Sequence, residues 1–153
     1  MAWFLAEMTL AAPPVEPGQP RSFVFVRGVC EQLLLGAIDQ TEHCQGSLVV
    51  SDYTNGRVNV AFVLLGDRGI IGFSGQDLQR EPQGARVRLP LDRVVMSEPG
   101  DPVRVTEFQG EGRCEWSDLD QVSGIVCELS TSDGRIYRGR FETDGSPSSR
   151  VDF

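Results

Sequence analysis

Short stretches of alternating apolar and polar residues, each closed by a turn signal, fill most of the chain. SFVFVRGVCE from Ser22 alternates and is rich in β-formers, so it predicts a strand. SLVVSDYT and RVNVAFVLL flank Asn55-Gly56, and IVCELSTS and RIYRGRF flank Asp133-Gly134. Asx-Gly between β-forming runs is the strongest short-range hairpin signal, because both central residues of a type I′ turn need φ > 0. A two-residue turn at Asn55-Gly56 sets Tyr53 opposite Val58, Ser51 opposite Val60 and Val49 opposite Phe62. Val63, Leu64 and Leu65 continue that strand as a run apolar on both faces, which predicts a central position.

IIGFSG predicts a further strand, and ARVRLPL and DRVVMS predict strands separated by Pro90, at an edge or a bulge. The long alternating stretch VRVTEFQGEGRCEWS carries Gly110 and Gly112, which mark a bulge or bend. QLLLGAID is too short for periodicity to separate strand from helical turn, and TEHCQG reads as a loop. No convincing amphipathic helix is present. The pattern predicts an all-β single domain of nine or ten short antiparallel strands, either a β-sandwich or a small closed β-barrel.

Three regions follow from this reading. Residues 1–20 form an apolar and proline-rich N-terminal arm, residues 21–145 the all-β domain, and residues 146–153 a flexible tail. AWFLAEMTLAA followed by PPVEPGQP reads as a signal remnant, or as an apolar segment able to rest on a membrane surface. About 20 apolar residues are needed to span a bilayer, and no stretch of this chain approaches that length.

Composition adds constraints of size and charge. The 153 residues fit one domain that buries roughly 68–70% of its unfolded surface. Its net charge is −8, and all 14 basic residues are arginine. That balance supplies no overall basic footprint for phosphate, so nucleic acid is not an expected partner.

Four cysteines fall into two pairs, Cys30 with Cys44 and Cys114 with Cys127. Four buried thiols in a cytosolic protein are the plain alternative, but local pairing at similar spacing favours disulfides and a periplasmic or secreted location. Three connectivities are open, and pairing within each local couple is the expected one. Each bridge closes a loop of about 14 residues, worth roughly 3 kcal/mol in the chain-entropy model. Both pairs precede an Asx-Gly hairpin, but the shared residues are few, and convergent turn chemistry explains them as well as duplication does.

Candidate chemistry is sparse. His43 is the one histidine, which rules out a site needing two. Its spacing to Cys30 and Cys44 matches no zinc pattern, and as neighbours on an extended segment His43 and Cys44 point to opposite faces. No metal or cofactor is expected. Asp52 and Asp67 lie near strand ends, while Glu111, Glu115, Asp118 and Asp120 cluster around Cys114. The cluster serves a hydrolase or a solvated acidic rim, and the rim is the plainer reading. Neither a G-x-S-x-G elbow nor a phosphate loop is present.

Arg135, Arg138 and Arg140 with Tyr137 form the most suggestive surface feature, an arginine ladder able to grip an acidic partner. Cross-strand pairing with Glu128 and Glu142 is the plainer account of it. Trp116, just after Cys114, either covers a disulfide or stands exposed at an interface.

Together these features predict a non-enzymatic binding or accessory protein that offers a β-surface or loops to a larger protein partner, with Arg135, Tyr137, Arg138, Arg140 and Trp116 as candidate contacts. The alternative is a small-ligand carrier whose barrel interior is lined by Val58, Val60, Phe62, Ile71 and Phe73. A hydrolase built on the clustered carboxylates is the weakest of the three.

Overall fold

The computed structural model describes residues 18–81, 86–98 and 100–153. Residues 1–17, which hold most of the arm expected from the sequence, lie outside this set. The alternating runs form β1 (Pro20–Leu35), β2 (Ile38–Asp39), β3 (Cys44–Tyr53), β4 (Val58–Leu64), β5 (Ile70–Gly75) and β6 (Gln79–Arg80). They continue as β7 (Val87–Glu98), β8 (Asp101–Trp116), β9 (Gly124–Ser130), β10 (Ile136–Thr143) and β11 (Ser149–Asp152). Short 3₁₀ turns cover Thr41–His43 and Gly66–Arg68.

Eight strands close a barrel in the order β1-β3-β4-β5-β7-β8-β9-β10, with β10 returning to β1. Every pairing is antiparallel. Of the two predicted architectures, the closed barrel is the one formed. Closure leaves no strand edge along most of the wall, which is how small β proteins avoid edge-to-edge association.

The long strand β1 explains both the closure and its offset. Its second half pairs with β10 from Gly28 opposite Thr143 to Leu35 opposite Tyr137. Its first half has β3 on one side and β11 on the other. At Gly28 the β10 backbone comes so close that a Cβ would lie 1.9 Å from the Glu142 carbonyl oxygen, so only glycine fits. β11 forms from residues expected as a frayed tail. They become a strand because the first half of β1 has a side that β10 does not reach.

Inward positions fill the waist of the barrel. Phe62 meets Phe73 and Phe141 edge-on, with ring centroids 5.7 and 6.5 Å away. Leu33, Leu48, Val60, Ile71, Leu89, Val94 and Leu129 are buried around them. Of the interior positions named as a cavity lining, Val60, Phe62, Ile71 and Phe73 are therefore packed core, the usual state of an eight-stranded barrel.

The first hairpin forms where the sequence predicts it, but one residue out of register. Tyr53 N–H donates to the Arg57 carbonyl and Gly56 N–H to the Tyr53 carbonyl, so Thr54, Asn55 and Gly56 make a three-residue loop. Val50 then faces Val60, Leu48 faces Phe62 and Val49 faces Ala61. The cause is local. Gly56 takes φ of 81°, and Asn55 is not among the positive-φ residues. The Asn55 side chain instead accepts the Arg57 N–H at 3.0 Å, a type I turn closed by a left-handed glycine. Asp133-Gly134 does the same, with Thr131 bonded to Arg135 and Gly134 at φ of 87°. A one-residue shift exchanges the faces of a strand, so Leu48 and Val50 are the inward residues rather than Val49.

The two strands expected on either side of Pro90 are one, β7, in which Pro90 lies opposite Arg113 and register shifts with both β5 and β8 fall just after it, between Leu91 and Arg93. Of the two expectations for Pro90, the edge position is not observed, and the bulge lies next to it in an internal strand. Gly110 and Gly112 lie opposite the second of these irregularities.

Two disulfides link the pairs read from the sequence, Cys30 to Cys44 and Cys114 to Cys127. The first ties β1 to the start of β3. The second joins directly opposed residues of β8 and β9 inside the barrel, where both are fully buried.

Across the outer wall, Arg57, just before β4, makes two 2.8 Å hydrogen bonds to Asp92 and one of 3.0 Å to the Ser74 hydroxyl, tying the first hairpin through β5 to β7. The Arg57 guanidinium holds the Asp92 carboxyl below the usual carboxylate range. A depressed folded-state pKa contributes stability above the unfolded value and loses it as pH falls through the folded one. Asp92→Asn is therefore expected to cost about 1 kcal/mol at neutral pH, a value reduced by the exposure of Asp92. In urea titrations the gap between variant and parent should shrink below about pH 4; a gap independent of pH would contradict this.

Candidate functional site

The two ends of the barrel differ. At one end, Cys44 of the Cys30–Cys44 bridge follows the Thr41–His43 turn and lies opposite buried Leu64, and Leu35 lies opposite Tyr137. At the other, a cleft of about 920 Å³ opens between the ends of β3 and β8 and the starts of β1, β4 and β7. Val24, Val50, Val58 and Val87 supply apolar wall from four strands. Leu78, Trp116 and Leu119 extend it along the segments leaving β5 and β8.

Trp116 is inward at the end of β8, opposite Val87 and two residues past the buried Cys114. It is 7% exposed, so of its two predicted placements the covered one is observed. Asp52, Asp118, Asp120, Arg80 and Arg150 border the cleft, three carboxylates and two guanidiniums. Arg150 is held by Asp152 at 2.8 Å.

The wall beyond Trp116 is fixed by hydrogen bonds. Asp118 accepts the Asp120 N–H at 2.9 Å, and the Ser123 hydroxyl donates to the Asp118 carbonyl at 3.1 Å. Ser123 N–H donates to the Thr143 hydroxyl at 2.8 Å, while that hydroxyl donates to the Gln121 carbonyl. Asp120 accepts both the N–H and the hydroxyl of Ser148, at 2.8 and 2.7 Å, and these bonds hold its carboxyl below the usual range. The loop from Ser117 to Ser123 thus arrives pre-set, and an occupant would meet it with little ordering left to do.

The other residues singled out in the sequence are scattered. Tyr137 turns into the barrel, 3% exposed, and stacks on Phe108 at 5.5 Å. Arg135 lies over that same Phe108 ring at 5.0 Å and bonds Asp133 at 3.0 Å. Arg138 pairs with Glu128 at 2.8 Å, the cross-strand arrangement expected as the plainer account, and Arg140 is exposed on the outer wall. The four do not share one surface, and of the candidate contacts only Trp116 borders the cleft.

The carboxylates also part company. Glu115 pairs with Arg88 and Arg113 outside the barrel, and Glu111 is exposed on the same strand, while Asp118 and Asp120 belong to the cleft rim. His43 sits in the 3₁₀ turn near the other end, its carbonyl accepting the Leu65 N–H at 2.7 Å. Among the described residues no group of three His, Cys, Asp or Glu side chains is placed to hold a metal ion. Of the predicted cavity lining, Val58 alone reaches the cleft.

Val24, Val50, Leu78, Leu119, Arg80 and Arg150 were not singled out from the sequence. Period-two alternation was the available signal for Val24 and Val50. It became usable only with the correct hairpin register.

No protein-family model, curated protein or solved structure matches the chain. No helix among the described residues is long and apolar enough to cross a membrane.

Proposed function

We propose that this protein is a non-enzymatic binding protein of an oxidising compartment, periplasmic or secreted, that holds a small amphipathic molecule in the cleft at one mouth of its barrel. The cleft carries the reading: about 920 Å³ of half-open concave space in which valine, leucine and tryptophan side chains alternate with Ser22, Ser117 and Ser148 below a charged rim. Its volume lies at the upper end of the range for small-molecule sites, about 300–1,000 Å³. Apolar walls favour an apolar body through the hydrophobic effect, and the rim favours a polar or charged head that stays near water. The two disulfides support the choice of compartment.

A larger protein partner gripped by Arg135 and the arginines of β10 is less well supported. Arg138 is engaged by Glu128, and Arg135 by Asp133 and Phe108.

The neutral dye N-phenylnaphthylamine tests the proposal, because it brightens on entering an apolar site. Native, oxidised protein is expected to bind it at one saturable site, with displacement by long-chain amphiphiles. Val50→Trp, which fills the cleft, and Leu119→Asp, which charges its wall, should each weaken binding by at least about tenfold. Near-UV circular dichroism establishes that both variants are folded. No fluorescence gain with the native protein, or equal affinity in both folded variants, would remove the reading.

A further inference from the structure

β11 pairs with β1 on one side only. The Phe153 N–H donates to the Arg21 carbonyl at 2.9 Å. Phe23 lies opposite Val151, and Phe25 opposite Ser149. Bonded and non-bonded pairs alternate along an antiparallel ladder, so Ser149, Val151 and Phe153 direct their backbone groups at β1. Arg150 and Asp152 direct theirs away from it, where no strand among the described residues pairs with them. All four residues of β11 are exposed.

The outer face beside this edge is apolar. Phe25 is 43% exposed, Val151 45% and Phe153 74%. The Phe153 ring stands edge-on to Phe23, with centroids 5.0 Å apart. An open edge next to exposed apolar side chains is a template for a further strand, and the charge pattern of the edge indicates which strand fits.

We propose that β11 pairs with β11 of a second copy of this chain about a two-fold axis, joining two barrels through a continuous sheet. Antiparallel pairing centred on Val151 sets it opposite its own copy. Arg150 then stands opposite the second copy's Asp152, and Asp152 opposite its Arg150, so the 2.8 Å bonds between them within the two copies are exchanged for two between copies. These are the residues whose backbone groups face the open edge, so they exchange both hydrogen bonds with their opposites.

The neighbouring even registers are disfavoured. Sliding by two residues one way opposes Arg150 to Arg150, and the other way Asp152 to Asp152, each a like-charge pair across strands. Odd shifts leave the backbone groups out of phase and form no ladder. In the favoured register Phe23, Val151, the second Val151 and the second Phe23 line up in one row across the outer face. Phe153 lies one strand from the second copy's Ser149, with Phe25 of that copy beyond it. Self-complementary charge and a matching apolar row both select a second copy as the occupant. The pairing uses the open edge and outer face of β11, although Arg150 also borders the cleft.

Sedimentation velocity on the full, oxidised chain tests the inference. The native protein is expected to sediment as a dimer that dissociates on dilution. Arg150→Asp and Asp152→Arg should each weaken self-association by at least about tenfold, since each opposes like charges in both symmetric contacts. An equimolar mixture of the two variants should recover the dimer. One copy then carries carboxylates at both positions and the other guanidiniums at both, so opposite charges face each other in each contact. A structural effect within one chain cannot produce that recovery. A native monomer up to about 100 μM, where a micromolar pairing would be saturated, overturns the proposal. So does native-like dimerisation by either single variant, or failure of the mixture to associate.

Discussion

Phe62→Ala is expected to lose about 3–5 kcal/mol of stability, the range for truncating a fully buried phenylalanine. Phe62 is wholly buried at the waist, edge-on to Phe73 and Phe141. Its ring also lies over Gly139 of β10, where a Cβ would come within 2.5 Å of the ring. The residue therefore joins the two walls that β1 closes. Its loss leaves a cavity that aromatic neighbours fixed on separate strands cannot readily fill. The same geometry predicts a coupling. Gly139→Ala alone overpacks the site, whereas in a Phe62→Leu background the added methyl enters space the ring has left. Urea denaturation of the four proteins closes a double-mutant cycle, with the pair expected to cost less than the two single changes added together. Strict additivity would mean that the ring and the glycine do not share the space described.

Turn chemistry and cysteine spacing were the legible parts of this fold. Asn55-Gly56 and Asp133-Gly134 announced their hairpins because glycine readily adopts the positive φ both loops require. The register was not legible, since it depended on whether Asn55 also adopted positive φ or used its side chain to accept the Arg57 N–H. That choice of turn goes with the face of β3 that enters the barrel, which the β1 and β4 ladders share. The disulfide partners could be read because each bridge joins residues close in sequence, 14 and 13 positions apart.

β11 could not be read in the same way. Ser149–Asp152 is short and charged, and it is a strand only because distant β1 leaves a side unpaired there. The cleft is harder still. Its walls come from the ends of several strands and from the segments joining them. Whether Val24 or Leu119 lines a site is settled by barrel closure, which no local pattern encodes. Trp116 could be singled out by its chemistry, but its orientation required the β8 register opposite Val87.

The two disulfides are expected to separate stability from binding. Their loops differ by one residue, 14 against 13, so the chain-entropy model assigns each nearly the same contribution, about 3 kcal/mol. Cys30→Ala with Cys44→Ala, and Cys114→Ala with Cys127→Ala, should each lower stability by roughly that amount in urea titrations. Their effects on the cleft should differ. Cys30–Cys44 lies toward the opposite mouth, away from the cleft. Cys114–Cys127 closes the segment that carries Trp116, Asp118, Leu119 and Asp120, and it is buried two residues before Trp116. Without it, β8 and β9 are still joined by their ladder and the loop by Thr143 and Ser148, so the segment loosens rather than unfolds. Ordering it again on binding draws on the ligand's affinity. N-phenylnaphthylamine binding is therefore expected to weaken by about tenfold in the Cys114/Cys127 double variant and to stay unchanged in the other. Equal weakening in both would show that binding follows global stability, and no change in either would detach the Trp116 wall from the dye's site.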